Sequence, residues 1–283
     1  MRRLIQWKWL LLLLLAGPFP AFAADDAQKQ GTAPPAATPQ HRLLNDRFRL
    51  SLGAFYAEST TEARLSTASG GTGVDVNFED MLGLDTRKWV GEFGMYWRFA
   101  EHWRVDLGYF SLNRSATRTL EQDITWGDLP PLTVGTTVNS TVKMSDLRAA
   151  VGYSFFRRPD KELGVGVGLH RAAFEASLDA GSFGARSESV TAPLPFLTLY
   201  GNFALTDTWA LSLRSDWLSL SYDKYSGAIR SNAFDFVYQP FTHFAFGFGV
   251  HSLTLRLDVD NPNSKMQTRI VFQGPAAYAS YSF

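Results

Sequence analysis

From Arg47 onward, apolar and polar residues alternate with a period of two. Trp89, Gly91, Phe93, Met95, Trp97 and Phe99 share one face, and Lys88, Val90, Glu92, Gly94, Tyr96 and Arg98 share the other. Trp103, Val105, Leu107 and Tyr109 repeat the theme against Arg104, Asp106 and Gly108. So do Leu147, Ala149, Val151, Tyr153 and Phe155 against Asp146, Arg148, Ala150, Gly152 and Ser154. Leu163, Val165, Val167 and Leu169 oppose Glu162, Gly164, Gly166, Gly168 and His170. Trp209, Leu211, Leu213, Ser215 and Trp217 oppose Ala210, Ser212, Arg214, Asp216 and Leu218. Strict alternation of this kind predicts half-buried strands.

One face is large and apolar. The other carries Gly, Ala, Ser and charges. A soluble sandwich leaves so many glycines on its polar face unexplained. A closed membrane barrel explains them, because lipid takes the large side chains and a narrow lumen takes small and charged ones. Short turns are expected at Ala100–His102, Arg157–Lys161, Thr206–Thr208 and Gln239–His243. Longer polar connections are expected near 68–87, 123–133, 176–191, 222–227 and 258–266. Four tight turns joining five hairpins predict an all-β, closed antiparallel transmembrane barrel of ten strands, with eight or twelve left open. Both termini then lie on the periplasmic side. Segments near 103–122 and 134–156 exceed the 9–11 residues that cross a bilayer and are expected to project above it.

Trp89 and Trp97 share a face eight residues apart, as do Trp209 and Trp217. At ~3.3 Å per residue and a tilt of about 40°, eight residues climb roughly 20 Å. That is close to the ~25 Å between the aromatic girdles of such barrels. Trp89, Trp97, Trp103, Trp209 and Trp217 are therefore the expected girdle, with Trp103 and Trp209 at the periplasmic level.

The N-terminus reads as an address. Arg2, Arg3 and Lys8 precede the apolar run Leu10–Leu15, Pro18 and Pro20 break that run, and Ala21-Phe22-Ala23 offers a cleavage site. Residues 1–23 are predicted to be a cleaved secretory signal peptide. Residues 24–45, rich in Ala, Pro, Gln and Thr, predict a disordered periplasmic tail. The barrel is placed at 46–283. Removing the leader takes Arg2, Arg3 and Lys8 from the 27 basic residues and none of the 27 acidic ones, leaving a net charge of −3.

Composition narrows the classes. Mean hydropathy is −0.11 and only the leader carries a long apolar run, so a bundle of membrane helices is excluded. Balanced charge gives no case for nucleic acid. The absence of cysteine removes disulfides and thiolate chemistry. No cofactor or metal motif is recognised. Asp75, Glu79, Asp80 and Asp85 do not match a Ca²⁺ loop and read as a solvated acidic loop. Phe78, Met81 and Leu82 nearby could fold a short amphipathic turn over the barrel mouth. The period-two glycines Gly164, Gly166 and Gly168 read as small lumen residues rather than a nucleotide loop.

The chain ends Tyr278-Ala-Ser-Tyr281-Ser-Phe283. With the leader, the alternating strands and the turn asymmetry, this resembles the bacterial outer-membrane β-barrel superfamily, small barrels of the OmpA, OmpX and OmpW kind. The resemblance implies a Gram-negative cell envelope, contact with outer-membrane lipids and lipopolysaccharide, and an assembly signal in Tyr281 and Phe283 read by the barrel-assembly machinery.

Counting residues up from each turn places Glu92, Asp146, Arg148, His170, Arg214, Asp216 and His251 at similar height on the small or polar face. His251 sits where the apolar phase slips between Val250 and Leu253. The expected arrangement is a belt of ion pairs plugging a narrow lumen, because unpaired buried charge is costly. Two alternatives stand beside it. One is a narrow, porin-like path for small solutes or ions. The other is a membrane-embedded protease or lipid hydrolase using Asp216 with His170 or His251, or Ser252 beside His251. His102 and His243 read as turn residues. The leading expectation is a non-enzymatic barrel with a structural or surface-interaction role. Oligomeric state is not read from the sequence.

Overall fold

The structure, a computed structural model, describes residues 40–67, 75–125, 130–222, 225–261 and 264–283. The predicted leader, 1–23, and residues 24–39 of the predicted tail lie outside the described residues. Eleven strands form one antiparallel sheet: β1 (Phe48–Thr67), β2 (Val76–Asn77), β3 (Arg87–Arg98), β4 (Trp103–Thr119), β5 (Thr137–Arg158), β6 (Lys161–Asp179), β7 (Ala185–Ala204), β8 (Trp209–Tyr222), β9 (Tyr225–Tyr238), β10 (Phe244–Asn261) and β11 (Ser264–Ser282). β2 is a two-residue strand laid on β1. The other ten are staves, each paired with its sequence neighbour, and β1 pairs with β11 from Arg49↔Ser282 to Thr67↔Ser264. The sheet is therefore a closed ten-stranded barrel with no free edge along the closure.

The four tight turns fall where the alternation breaks. They define one end of the barrel, here the turn end, where Phe48 and Ser282 also lie. The opposite end differs from expectation. The connections expected at 176–191, 222–227 and 258–266 are largely strand: β6 and β7 meet across Ala180–Gly184, β8 and β9 across 223–224, and β10 and β11 across 262–263. Only the connections after β1 and β4 are long.

The reason is an inversion of polarity along each stave. In β4, even residues point inward throughout. The outward series Trp103, Val105, Leu107, Tyr109 then continues as Ser111, Asn113, Ser115, Thr117, while the inward series passes from Arg104 and Asp106 to Phe110 and Leu112. β5 passes outward from Leu147 to Ser145 and Lys143, and inward from Arg148 and Asp146 to Met144 and Val142. β10 keeps odd residues inward from Ala245 to Val259. The apparent phase slip near His251 is this inversion, because Thr254, Arg256 and Asp258 now face out while Leu253, Leu255 and Leu257 are buried. The turn-end half has an apolar exterior and a polar interior. The far half is built like a soluble protein.

The far interior is filled by Val142, Met144, Phe174, Phe196, Leu255, Ile270 and Phe272. The two long connections fold into it. Phe78, Leu82 and Leu84 are buried beneath the first, and Ile124 and Leu132 bridge each other within the second. Residues 78–82 form a turn in which Phe78 and Leu82 are buried and Met81 packs against the same core. Glu79 is not solvated: it accepts from the Thr61 amide at 2.7 Å and pairs with buried Arg114 at 2.5 Å. Asp75 stays exposed against Arg64.

The β7–β8 ladder runs only from Leu197↔Trp217 to Ala204↔Ala210, although β7 continues to Ala185. Pro193 and Pro195, in the part of β7 that precedes Leu197, have no amide hydrogen to donate. Inward glycines make room for large rings. A Cβ on Gly164 or Gly152 would run into Tyr200, one on Gly168 into Phe196, and one on Gly247 into Tyr278.

Candidate functional site

The strongest concentration of chemistry is the polar interior of the turn-end half. Each of its side chains is aimed inward by stave parity. At the turn end, Arg98 makes two hydrogen bonds to Glu162, at 2.7 and 2.9 Å. Glu162 also accepts from Ser154 and from Asn202. Arg104 binds Asp106 at 2.8 Å and lies 3.5 Å from the centre of the Tyr200 ring.

One level higher is the belt. Arg148 grips Asp216 by donating from Nε and Nη2, at 2.7 and 3.0 Å, and lies over the Phe196 ring. Arg214 approaches the same carboxylate at 3.5 Å. His170 Nδ1 meets Asp146 at 2.8 Å, and its Nε2 lies 3.8 Å from Asp216. Asp146, Arg148, His170 and Asp216 are all buried. Across the lumen, His251 stands between Asp235 at 3.0 Å and Glu92 at 3.3 Å. A ring protonated on both nitrogens satisfies that arrangement. All seven expected belt residues therefore meet inside the barrel, as two clusters rather than one ring. The charges are paired, as burial requires.

Between the clusters is a cavity of ≈ 260 Å³, room for several water molecules. Its walls carry Arg49, Glu92, Asp106, Arg214 and Asp235, and Phe55, Phe110, Leu253 and Phe272 stand over them. The turn end is covered as well. Residues 40–45, expected to be the end of the tail, are ordered: Arg42–Leu44 form a 3₁₀ turn capped by His41. Leu43 packs on the inward residues Ala210, Val237 and Ala245, and Arg157 bonds the Leu44 carbonyl at 3.0 Å.

None of the three hydrolase pairings is hydrogen-bonded, and His251 is held instead by Asp235 and Glu92. Both oxygens of Asp216 are held by Arg148, and His170 does not reach it within hydrogen-bond distance. Ser252 faces outward, opposite His251, and accepts from Asn232. His102 and His243 each set Nδ1 2.8 Å from a strand carbonyl, of Ser154 and Ser282. Asp235 was missed by the sequence reading, although its place between outward Phe234 and Phe236 marks it as inward. Among the described residues, no group of three or more His, Cys, Asp or Glu residues is arranged to hold a metal ion.

Of the girdle, Trp97, Trp103 and Trp209 stand outward near the turn end and Trp89 and Trp217 near the inversion. Tyr281 meets Phe283 and Phe244 edge to face, and Phe283 packs at a tilt on Phe48, at the closure.

No protein-family model and no curated sequence matches the chain. Solved structures do, at low identity. The outer membrane protease OmpT of Escherichia coli has a TM-score of 0.48 at 11% identity, covering 84% of this chain and 97% of that one. Ail, the attachment invasion locus protein of Yersinia pestis, has 0.32 at 11%, covering 81% and 99%. The Pseudomonas putida toluene transporter TodX has 0.31 at 10%, covering 84% and 90%. The likeness is one of architecture.

Proposed function

We propose that the chain is an integral outer-membrane barrel of a Gram-negative bacterium, with both termini periplasmic, a lumen closed to solutes and a role exercised at its projecting surface. The observation that carries this reading is the inversion of polarity along the staves. An apolar exterior over a polar interior suits lipid, and a polar exterior over an apolar core suits water. Staves of 17 residues in β4 and 22 in β5 are about twice what a bilayer requires. The surplus stands outside the membrane, where a partner or surface would meet it. Paired charges, the apolar fill of the far half and Leu43 at the turn end all favour closure. On this reading Tyr281 and Phe283 are offered to the barrel-assembly machinery.

The test is reconstitution. The mature chain should need detergent or lipid to stay soluble, migrate differently on gels before and after heating, and give no discrete conductance in planar bilayers. A monomer soluble in plain buffer overturns the membrane reading. Steady unitary currents overturn closure and favour the narrow path, for which the ≈ 260 Å³ cavity would be the central chamber.

A further inference from the structure

The interior cavity has donors to spare. Its carboxylates are largely taken. Asp106 receives Arg104 on both oxygens, and Asp235 receives His251 on both. Glu92 holds the other nitrogen of the His251 ring, and Arg148 fills both oxygens of Asp216. Three donors lining the same space are not taken. Tyr96 is buried and its hydroxyl has no hydrogen-bond partner. Arg49 Nη1 is enclosed without one, and Asp46 stands 3.5 Å from it. Arg214 comes only to 3.5 Å from Asp216, a carboxylate that Arg148 already occupies. Against these, Oδ1 of Asp146 is the one carboxylate oxygen of the lining that is buried and unpartnered.

Two of the donors are adjacent. Arg49 and Tyr96 are register partners on β1 and β3, with the Arg49 guanidinium 4.9 Å from the centre of the Tyr96 ring. Arg98 and Arg104 flank the same ring at 5.6 and 5.2 Å, each with a carboxylate of its own. A buried phenol without an acceptor, set among guanidinium groups, suits negative charge, because charge-assisted hydrogen bonds are the strong ones. The far end of the chamber is apolar. Six residues along β1 and β4, Phe55 and Phe110 stand in the places of Arg49 and Arg104, with Leu253 and Phe272 beside them. At ~30 Å³ for each water's share, ≈ 260 Å³ holds a molecule of about nine non-hydrogen atoms.

The partition between this chamber and the turn end is one tier thick. Leu43 packs on Ala210 and Val237, and the next inward residues on those two strands, Ser212 and Asp235, line the chamber. Toward the far end, the apolar fill of the lumen and the two long connections stand in the way.

We propose that the chamber is a dead-end site for a small organic monoanion, a carboxylate on a compact apolar body, entered from the turn end past Leu43. The carboxylate accepts from the Tyr96 hydroxyl and Arg49, Arg214 adds positive charge, and the body lies under Phe55, Phe110, Leu253 and Phe272. The assignment rests on the closed lumen proposed above.

The experiment is isothermal titration calorimetry of the detergent-solubilised mature chain, with the gel shift on heating as the check on folding. Three probes are compared: cyclohexanecarboxylate, its neutral counterpart cyclohexylmethanol, and acetate. Cyclohexanecarboxylate should bind one to one and at least tenfold more tightly than either of the others. Tyr96→Phe keeps the ring among its arginines and should weaken binding about tenfold, as should Arg49→Gln, whereas Lys143→Gln on the outer wall should change nothing. Leu43→Ala should shorten the return to baseline after each injection. No binding by a chain that passes the gel-shift check, or binding unchanged in both lumen variants, overturns the site. Equal binding of the alcohol overturns the anion, and equal binding of acetate overturns the apolar body. An unchanged time course in Leu43→Ala overturns the entrance. Steady unitary currents in planar bilayers refute the closed lumen instead, so the two failures are distinguishable.

Discussion

Arg148 decides how the charged belt behaves. Its guanidinium and the Asp216 carboxylate are both buried and make two hydrogen bonds, so neither has water to fall back on. Arg148→Leu leaves Asp216 with Arg214 at 3.5 Å and no close donor. Breaking one partner of a buried pair costs about 3–5 kcal/mol. The ≈ 260 Å³ cavity beside it admits water and lowers that figure. The expected outcome is a clear fall in the unfolding temperature in detergent, with the heat-dependent gel shift retained. A variant that melts like the parent but conducts ions would make the belt a gate. The same residue marks what sequence reasoning can reach. Parity placed Arg148 and Asp216 on inner faces, but they are 68 residues apart and on strands three staves apart. Which carboxylate each arginine chooses depends on side-chain reach across the lumen, and one chain's alternation carries no record of that.

At the scale of elements, the short turns and the number of staves were legible because both follow from local chemistry. The far hairpins were not, because polar outward residues such as Ser187, Ser189, Asp258 and Lys265 look like loop when lipid is assumed outside them. Parity never broke in β10; only the polarity of each face changed. The 40–45 segment was hidden for a different reason: Leu43 and Leu44 stand alone after a polar tail, and their burial needs a barrel end to receive them. His41 couples that docking to pH. Its Nδ1 accepts from the Leu43 amide at 3.1 Å, and burial lowers its pKa below 6.5, against the raising effects of a Thr208 backbone hydrogen bond and of Asp46 and Asp207. Arg49 lowers it further. Well above pH 6.5 the ring is neutral whether docked or free. Below it, the undocked state takes up the proton more readily, so docking weakens as pH falls. The protection factors of the Leu44 and Asn45 amides, taken relative to intrinsic exchange at each pH, should therefore fall on acidification toward pH 5. His41→Asn keeps a capping acceptor without a titrating ring, and protection in that variant should be flat over the same range.

On the proposed membrane reading the whole molecule is one wall in two solvents, and that makes a prediction no single strand makes. Leu255 is buried inside the far half, and Leu197 is exposed on the apolar half of the wall. Leu255→Ala opens a cavity among Ile270, Phe272 and their neighbours, which cannot fully close. Such changes cost about 2–5 kcal/mol. Leu197→Ala leaves no cavity if lipid surrounds the wall, because a fluid acyl chain moves into the space. Its cost should fall well below that of Leu255→Ala when both are measured by urea unfolding from lipid vesicles. The two halves share every stave, so both variants report on the same cooperative unit, and the difference between them isolates the surrounding medium. Equal costs would mean that protein, not lipid, covers Leu197, and the apolar band would then be an interface between chains. The charged exterior of the far half supplies the converse: Lys143→Gln breaks only a half-exposed pair with Glu175 and should cost under about 1 kcal/mol. Together the three values would locate the boundary where Tyr109 gives way to Ser111 and Leu147 to Ser145.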